Sequence, residues 1–372
     1  MLSITPSHWP YLPKLLLTVA FLRLIALDRQ ALAAPCFALF LVSMLMMQSF
    51  TSPWLSVGWI ALFSGFLISP KSIGPRPVYA ALIYLLIFHA LAIPGSIFWG
   101  SGNWELTAGV LLWMAPALLL YFADIHVRSV FNWLLPAVLF HAGLVIYQGW
   151  AHWYWFDQFL IRTDAPTGLA NNGNLAAGFL VLGLIHISTS KSYSWLSAPV
   201  LVALLFTGSR WGLIVGVVAL VAILVSQRRS WRVLAAVLVA LGTIIIAVIA
   251  SPFSYGISGL DSLLASVRGV NGEIATRLAV PHIPSFLPSG VAEHPGLHNV
   301  PLRIAIESGV LAAGLWVGVT AWTLLRGRGG TAWWMLLALV SLSMLDYYSW
   351  MGHLGGFWWM LVGVLSKGKE RT

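Results

Sequence analysis

The chain has 372 residues, of which 59% are hydrophobic and only 8% charged, with a formal net charge of +9. A soluble protein needs about a quarter of its residues charged to cover its surface, so a soluble globular fold is excluded. The apolar residues fall in blocks of roughly 16–25, the length that crosses a hydrocarbon core about 30 Å thick. The alternating segments of about ten residues that build a β-barrel are not present.

The first apolar segment, 11–27, carries Lys14 and Arg23 and reads either as an interfacial helix or as an additional span. Apolar blocks follow at 31–50, 54–69, 78–98, 106–123, 130–150, 173–188, 195–209, 210–226, 233–251, 300–325, 331–349 and 355–366. Backbone amides in lipid must be satisfied within their own segment, so each block is expected to be a helix. The expectation is an all-α polytopic membrane protein, a single domain over 1–372 with about 12 transmembrane helices.

Basic residues gather in "KSIGPR" (71–76), at Arg128 and Lys191, in "RRSWR" (228–232) and "RGR" (326–328), and in the tail "KGKER" (367–371). Counting spans puts all of them on one side, which the positive-inside rule makes cytoplasmic. The charge then reflects topology, and no nucleic-acid partner is expected. The other side receives 99–105, 151–172, 252–298 and 349–354, rich in Trp, Tyr, Pro and Asn as interfacial belts are. The longest of these, 252–298, contains Pro252, Pro281, Pro284, Pro288 and Pro295, which restrict regular helices to a short one around 260–279. A structureless loop of that length in a compact protein is usually functional or disordered, and its aromatic content predicts packing on the membrane face. Cys36 is the single cysteine, so an intramolecular disulfide and a CxxC site are both impossible. No small-residue cleavage site closes an early apolar run, and no cleavable signal peptide is expected.

Four chemistry-bearing features fall on the non-cytoplasmic side. "TGSRWGL" (207–213) puts Arg210 at a tight turn between two spans. A snorkelling arginine would explain it, but its position runs against the positive-inside bias, and a bound anion is the more economical cause. The long loop carries Arg268, Glu273, Arg277, His282, Glu293 and His294, any one of which is adequately explained by solvation. His298 and Asn299 close the loop just before a span; a neutral histidine accepts a proton near physiological pH, as a base for hydroxyl activation must. "DYYSWMGHLGG" (346–356) puts Asp346 near the outer end of another span, where ionisable groups face a cavity or a partner. Arg303 and Glu307 are four apart on one helix face and read either as a neutralising pair or as substrate contacts.

Arginine forks beside a histidine suit a lipid-linked pyrophosphate sugar, whose leaving group gains charge in the transition state. No DxD-like cluster or His/Asp cage lies outside the membrane to hold a divalent cation, so the expected glycosyl transfer is metal-independent.

Four stretches carry a resemblance. "NNGNLAAGFLVLGL" (171–184), "TGSRWGLIVGVVAL" (207–220), "HNVPLRIAIESGVLAAGLW" (298–316) and "DYYSWMGHLGGFWWMLVGVL" (346–365) come in an order around one long outer loop. In them the chain resembles the O-antigen ligase and O-antigen polymerase superfamily of bacterial membrane glycosyltransferases, over roughly residues 165–366. The resemblance implies a GT-C-like fold in the bacterial inner membrane, with the active site facing the periplasm. It implies transfer of a glycan from undecaprenyl pyrophosphate to a hydroxyl of an acceptor glycolipid, glycan or protein, without cofactor or nucleotide sugar. By this likeness Arg210 would contact pyrophosphate together with Arg277, for which Arg268 is a competitor. His298 matches the family histidine that acts as base or orients the acceptor, and Asn172 and Asn174 match its Asn-rich span start; Asn299, Arg303, Glu307 and Asp346 would support the site. The chain departs from the pattern in "RLAVPHIPSFLPSG" (277–290), where only a loose Pro-Ser-Gly replaces a Pro-Gly-x-Gly turn, and at Arg303, where an uncharged residue is usual.

Ligase, polymerase and protein O-oligosaccharyltransferase share this donor chemistry and differ in an acceptor the motifs do not encode. A transporter or flippase for a lipid-linked solute is the alternative of another class; it should carry inverted repeats and helices broken near the midplane, and the sequence displays neither. A structural partner in an envelope complex is the third reading.

Overall fold

The computed structural model describes residues 29–46, 53–69, 75–98, 104–151, 166–170, 172–190, 193–227, 288, 299–327, 329–344 and 352–367. The expected segment 11–27, the block 233–251 and, Pro288 apart, the loop 252–298 lie outside the described residues. The elements are α1 (Arg29–Leu45), α2 (Pro53–Ile68), α3 (Arg76–Phe98), α4 (Trp104–Phe122), α5 (Val127–Ala151) and α6 (Gly173–Thr189). Then come α7 (Ser197–Phe206), entered through a 3-10 turn at Ser194–Leu196, α8 (Arg210–Ser226), α9 (Val300–Glu307), α10 (Val310–Arg326), α11 (Thr331–Ser343) and α12 (Gly352–Ser366). The described residues form an all-helical fold with no β-strand.

The helices follow the apolar blocks because each block is apolar on every side, which leaves the internally bonded helix as the conformation that needs no outside partner. Two of them, over Arg76–Gly95 and Val127–Gly149, are long and apolar enough to cross a membrane; the other apolar helices are shorter. One expectation needs correction. The block 300–325 is two helices, not one: α9 ends at Glu307, and α10 starts at Val310 after Gly309 at φ +89°. Side chains rarely adopt that φ, and glycine adopts it freely, so Gly309 permits the break. Ser308 and Gly309 are small and uncharged, which is why hydropathy ran through them.

Two helices form the axis of the fold. α6 is buried from Leu175 to Ser188, and α12 from His353 to Ser366. α6 packs against α5, α7, α8 and α11, and α12 against α1, α4, α10 and α11. Small residues permit the close approach: a Cβ on Gly212 of α8 would stand 2.5 Å from the Cβ of Ala177, and one on Gly178 of α6 would stand 2.6 Å from Leu354 of α12. Aromatic rings join the axis to its neighbours, with Phe357 5.9 Å from Phe131 and 6.0 Å from Phe179. The outside of the bundle is itself apolar. Ile60 and Leu67 on α2 are 69% and 83% exposed, and Tyr84, Phe140 and Val218 also face outward. Water would penalise such a surface; hydrocarbon would not.

Candidate functional site at one end of the bundle

The start of α8 is built by its own sequence. Thr207 Oγ1 bonds back to Leu204 O (2.7 Å) at the end of α7, and Gly208 turns the chain at φ +68°. Ser209 is the N-cap, its Oγ accepting from the Gly212 N–H at 3.2 Å. Arg210 is thereby the first residue of α8 and is partly buried. A cation at a helix N-terminus opposes the macrodipole, whereas an anion there is favoured by the dipole and by the unpaired N–H groups. The turn thus holds Arg210 at a helix start, against the dipole.

The start of α9 is built in the same way. Asn299 caps it, Oδ1 accepting from the Leu302 N–H at 3.0 Å, and Pro301 occupies the first turn, where its missing N–H costs nothing. The Asn299 Nδ2 donates to Met344 O (2.9 Å) at the end of α11. Trp211, next to Arg210, donates its indole N–H to Ser341 O (2.7 Å) on that helix's last turn. Ser341 and Met344 are three residues apart, about 5 Å along the axis. The turn that carries Arg210 and the residue that follows His298 are thus stitched to one helix end.

Below Asn299 the polar groups continue inward. Arg303 Nε donates to Glu307 Oε1 at 2.7 Å, with side chains only 8% and 5% exposed. The ion pair that their spacing allows is made. Ser308, at the break, is fully buried with its Oγ 2.8 Å from His89 Nδ1 on α3. Sequence reading missed both His89 and Ser308; the only signal was an ionisable residue within the α3 apolar block.

A second polar device holds the segment before α6. Residues 166–170 are non-helical yet buried, so their N–H groups need partners inside the protein. Gln148 Oε1 accepts from Thr167 N–H (2.9 Å) and Gly168 N–H (2.7 Å), and His141 Nδ1 accepts from Leu169 N–H (2.9 Å). With Nδ1 an acceptor, the His141 proton is on Nε2, which donates to Ala176 O at 3.3 Å. The segment leads into Asn172, the N-cap of α6, whose Oδ1 accepts from Asn174 N–H at 2.8 Å.

Of the residues singled out in the sequence, the structure therefore brings Arg210 and Asn299 to helix starts tied to the end of α11, and pairs Arg303 with Glu307 within α9. Asn172 and Asn174 form a helix start and serve its cap. His298, Arg277, Arg268 and Asp346 lie outside the described residues. Among the described residues no group of three or more His, Cys, Asp or Glu side chains gathers as a metal site would. Comparison of the chain with protein-family models gives no match, and comparison with curated proteins gives none either.

Proposed function

We propose that the chain is a polytopic inner-membrane glycosyltransferase of GT-C-like architecture with about 12 spans. It moves a glycan from undecaprenyl pyrophosphate to an acceptor hydroxyl on the periplasmic face, in the manner of an O-antigen ligase. The observation that supports the reading most is the shared anchorage on α11: Trp211 on Ser341, and Asn299 on Met344. The two bonded residues are the neighbour of Arg210, the pyrophosphate-contacting candidate, and the neighbour of His298.

In the proposed reaction His298 takes the proton of the acceptor hydroxyl as its oxygen attacks the anomeric carbon. The bond from that carbon to the pyrophosphate oxygen breaks, and the electron pair leaves with undecaprenyl pyrophosphate. Arg210 and a loop arginine, Arg277 or Arg268, stabilise the charge that develops there. One displacement inverts the anomeric centre, and no carboxylate nucleophile enters the scheme. The test is reconstitution of the full chain in lipid with an undecaprenyl-pyrophosphate glycan and lipid A-core, glycan and protein acceptors, read by product mass. Transfer to one acceptor supports the reading and selects among ligase, polymerase and protein glycosylation; no transfer to any contradicts it.

One observation favours the transporter reading: α9 and α10 are a broken helix, with Arg303, Glu307, Ser308 and His89 buried around the break. Movement of labelled lipid-linked sugar across proteoliposomes, without glycan transfer, would establish that function instead.

A further inference from the structure

The end of the bundle opposite Ser341 and Met344 is built from other helix ends. Tyr121 Oη donates to Pro75 O at 3.4 Å, which ties the last turn of α4 to the start of α3. A Cβ on Gly363 of α12 would stand 2.9 Å from Tyr121 Cα, and one on Gly327, just past α10, would stand 2.7 Å from Leu365 of α12. Lys367 Nζ donates to Ala123 O at 2.9 Å and lies 5.3 Å from the centre of the Tyr121 ring. The start of α3, with Arg76, and the end of α10, with Arg326, are therefore gathered around the end of α12. α3 also packs against α10. Since α3 begins where α10 ends, the two run antiparallel, with axes about 8–10 Å apart.

Arg76 and Arg326 are both exposed, and neither is ion-paired among the described residues. The Arg326 guanidinium lies 4.5 Å over the Trp322 ring, which holds it at the surface without neutralising it. Arg76 is the first residue of α3, where the macrodipole opposes a cation, so its own helix does not account for it. Lys367 adds a third positive charge, and the only acid at this end among the described residues is Asp124. Three cations against one carboxylate leave two positive charges, at the rim of an apolar face of α10 on which Leu325 is 65% and Val317 46% exposed. Arg128 stands apart, against His186 of α6. A bias toward positive loops explains cations at this end, but not their gathering on helix ends that touch. We propose that this end binds a lipid with two phosphates, of the cardiolipin class, with one phosphate on Arg76, the other on Arg326, and chains along the outward face of α10. Basic pockets between helices suit such headgroups. Two phosphates joined through one glycerol match the two arginines in number and charge, whereas a lipid with one phosphate meets only one of them. The proposal needs the chain to lie in a membrane and does not depend on glycosyl transfer.

The test titrates the full chain in detergent with cardiolipin, phosphatidylglycerol or phosphatidylcholine and counts bound lipid by native mass spectrometry. Cardiolipin should be held about tenfold more tightly than phosphatidylglycerol, and phosphatidylcholine more weakly than either. Arg76→Gln and Arg326→Gln should each weaken cardiolipin binding about fivefold, the loss of one arginine contact near the surface, and the double variant more than about tenfold. Arg128→Gln removes the same charge at the same end and should change binding less than about twofold. All of these positions but Lys367 and Asp124 are varied at exposed side chains, so the folded protein is retained. Cardiolipin held no more tightly than phosphatidylglycerol overturns the match of two phosphates to two arginines. Equal losses in Arg128→Gln and in the Arg76 and Arg326 variants overturn the site and leave a diffuse basic surface.

Discussion

Asn299 holds two helices at once: its Oδ1 accepts from the Leu302 N–H to cap α9, and its Nδ2 donates to Met344 O at the end of α11. The two bonds can be separated by substitution. Asn299→Asp keeps the acceptor and loses the donor, while Asn299→Ala loses both. The alanine variant should lose about 1–2 kcal/mol of stability from the cap; Asp keeps the cap but sets a carboxylate oxygen against the Met344 carbonyl, and should cost about 1–3 kcal/mol in a thermal-shift series. Glycan transfer should fall in both, because the chain leading out of His298 is no longer tied to α11. Full transfer by Asn299→Asp would show that the tie does not matter.

The Arg303–Glu307 pair is buried, so removing one partner leaves a charge without its counter-ion. Glu307→Ala should cost about 3–5 kcal/mol, and the double replacement Arg303→Met with Glu307→Leu should recover most of it. Thermal unfolding of the three proteins in detergent checks this. A double variant no better than the single would show that the pair is more than structural.

Gly309 sits at φ +89° and ψ 159°, a region open in practice only to glycine. Gly309→Ala should destabilise by about 1–3 kcal/mol. Ser308→Ala, which loses the bond to His89, should cost about 1 kcal/mol. If Gly309→Ala is tolerated with unchanged melting temperature, the break between α9 and α10 is not fixed by this residue.

His141 serves structure. His141→Ala leaves the Leu169 N–H buried without its acceptor, at about 1–3 kcal/mol, and Gln148→Ala does the same for Thr167 and Gly168. Both should lower the yield of folded protein while each folded molecule keeps its transfer rate. Hydrogen exchange across residues 166–170 should rise in both; a rate loss without increased exchange would assign His141 a role in the reaction instead.

The division between what sequence disclosed and what it did not follows from the range of each interaction. The helices were legible because a segment apolar on all sides has one conformation that satisfies its own backbone. Arg303 and Glu307 were legible because four residues is one helical turn. His141 and Gln148 were not, because their partners are backbone N–H groups 28 and 20 residues away, and a backbone donor leaves no mark in the sequence. The break at Gly309 was hidden among residues too small to alter hydropathy.

The central claim is transfer driven by a base at His298 with Arg210 on the leaving group. The most direct measurement is single-turnover glycan transfer by the parent, His298→Ala and Arg210→Gln proteins, reconstituted with the same undecaprenyl-pyrophosphate glycan and acceptor. The account predicts product from the parent, none above background from His298→Ala, and a rate lowered by about tenfold or more in Arg210→Gln. Product formed by folded, inserted His298→Ala at the parent's rate would contradict it.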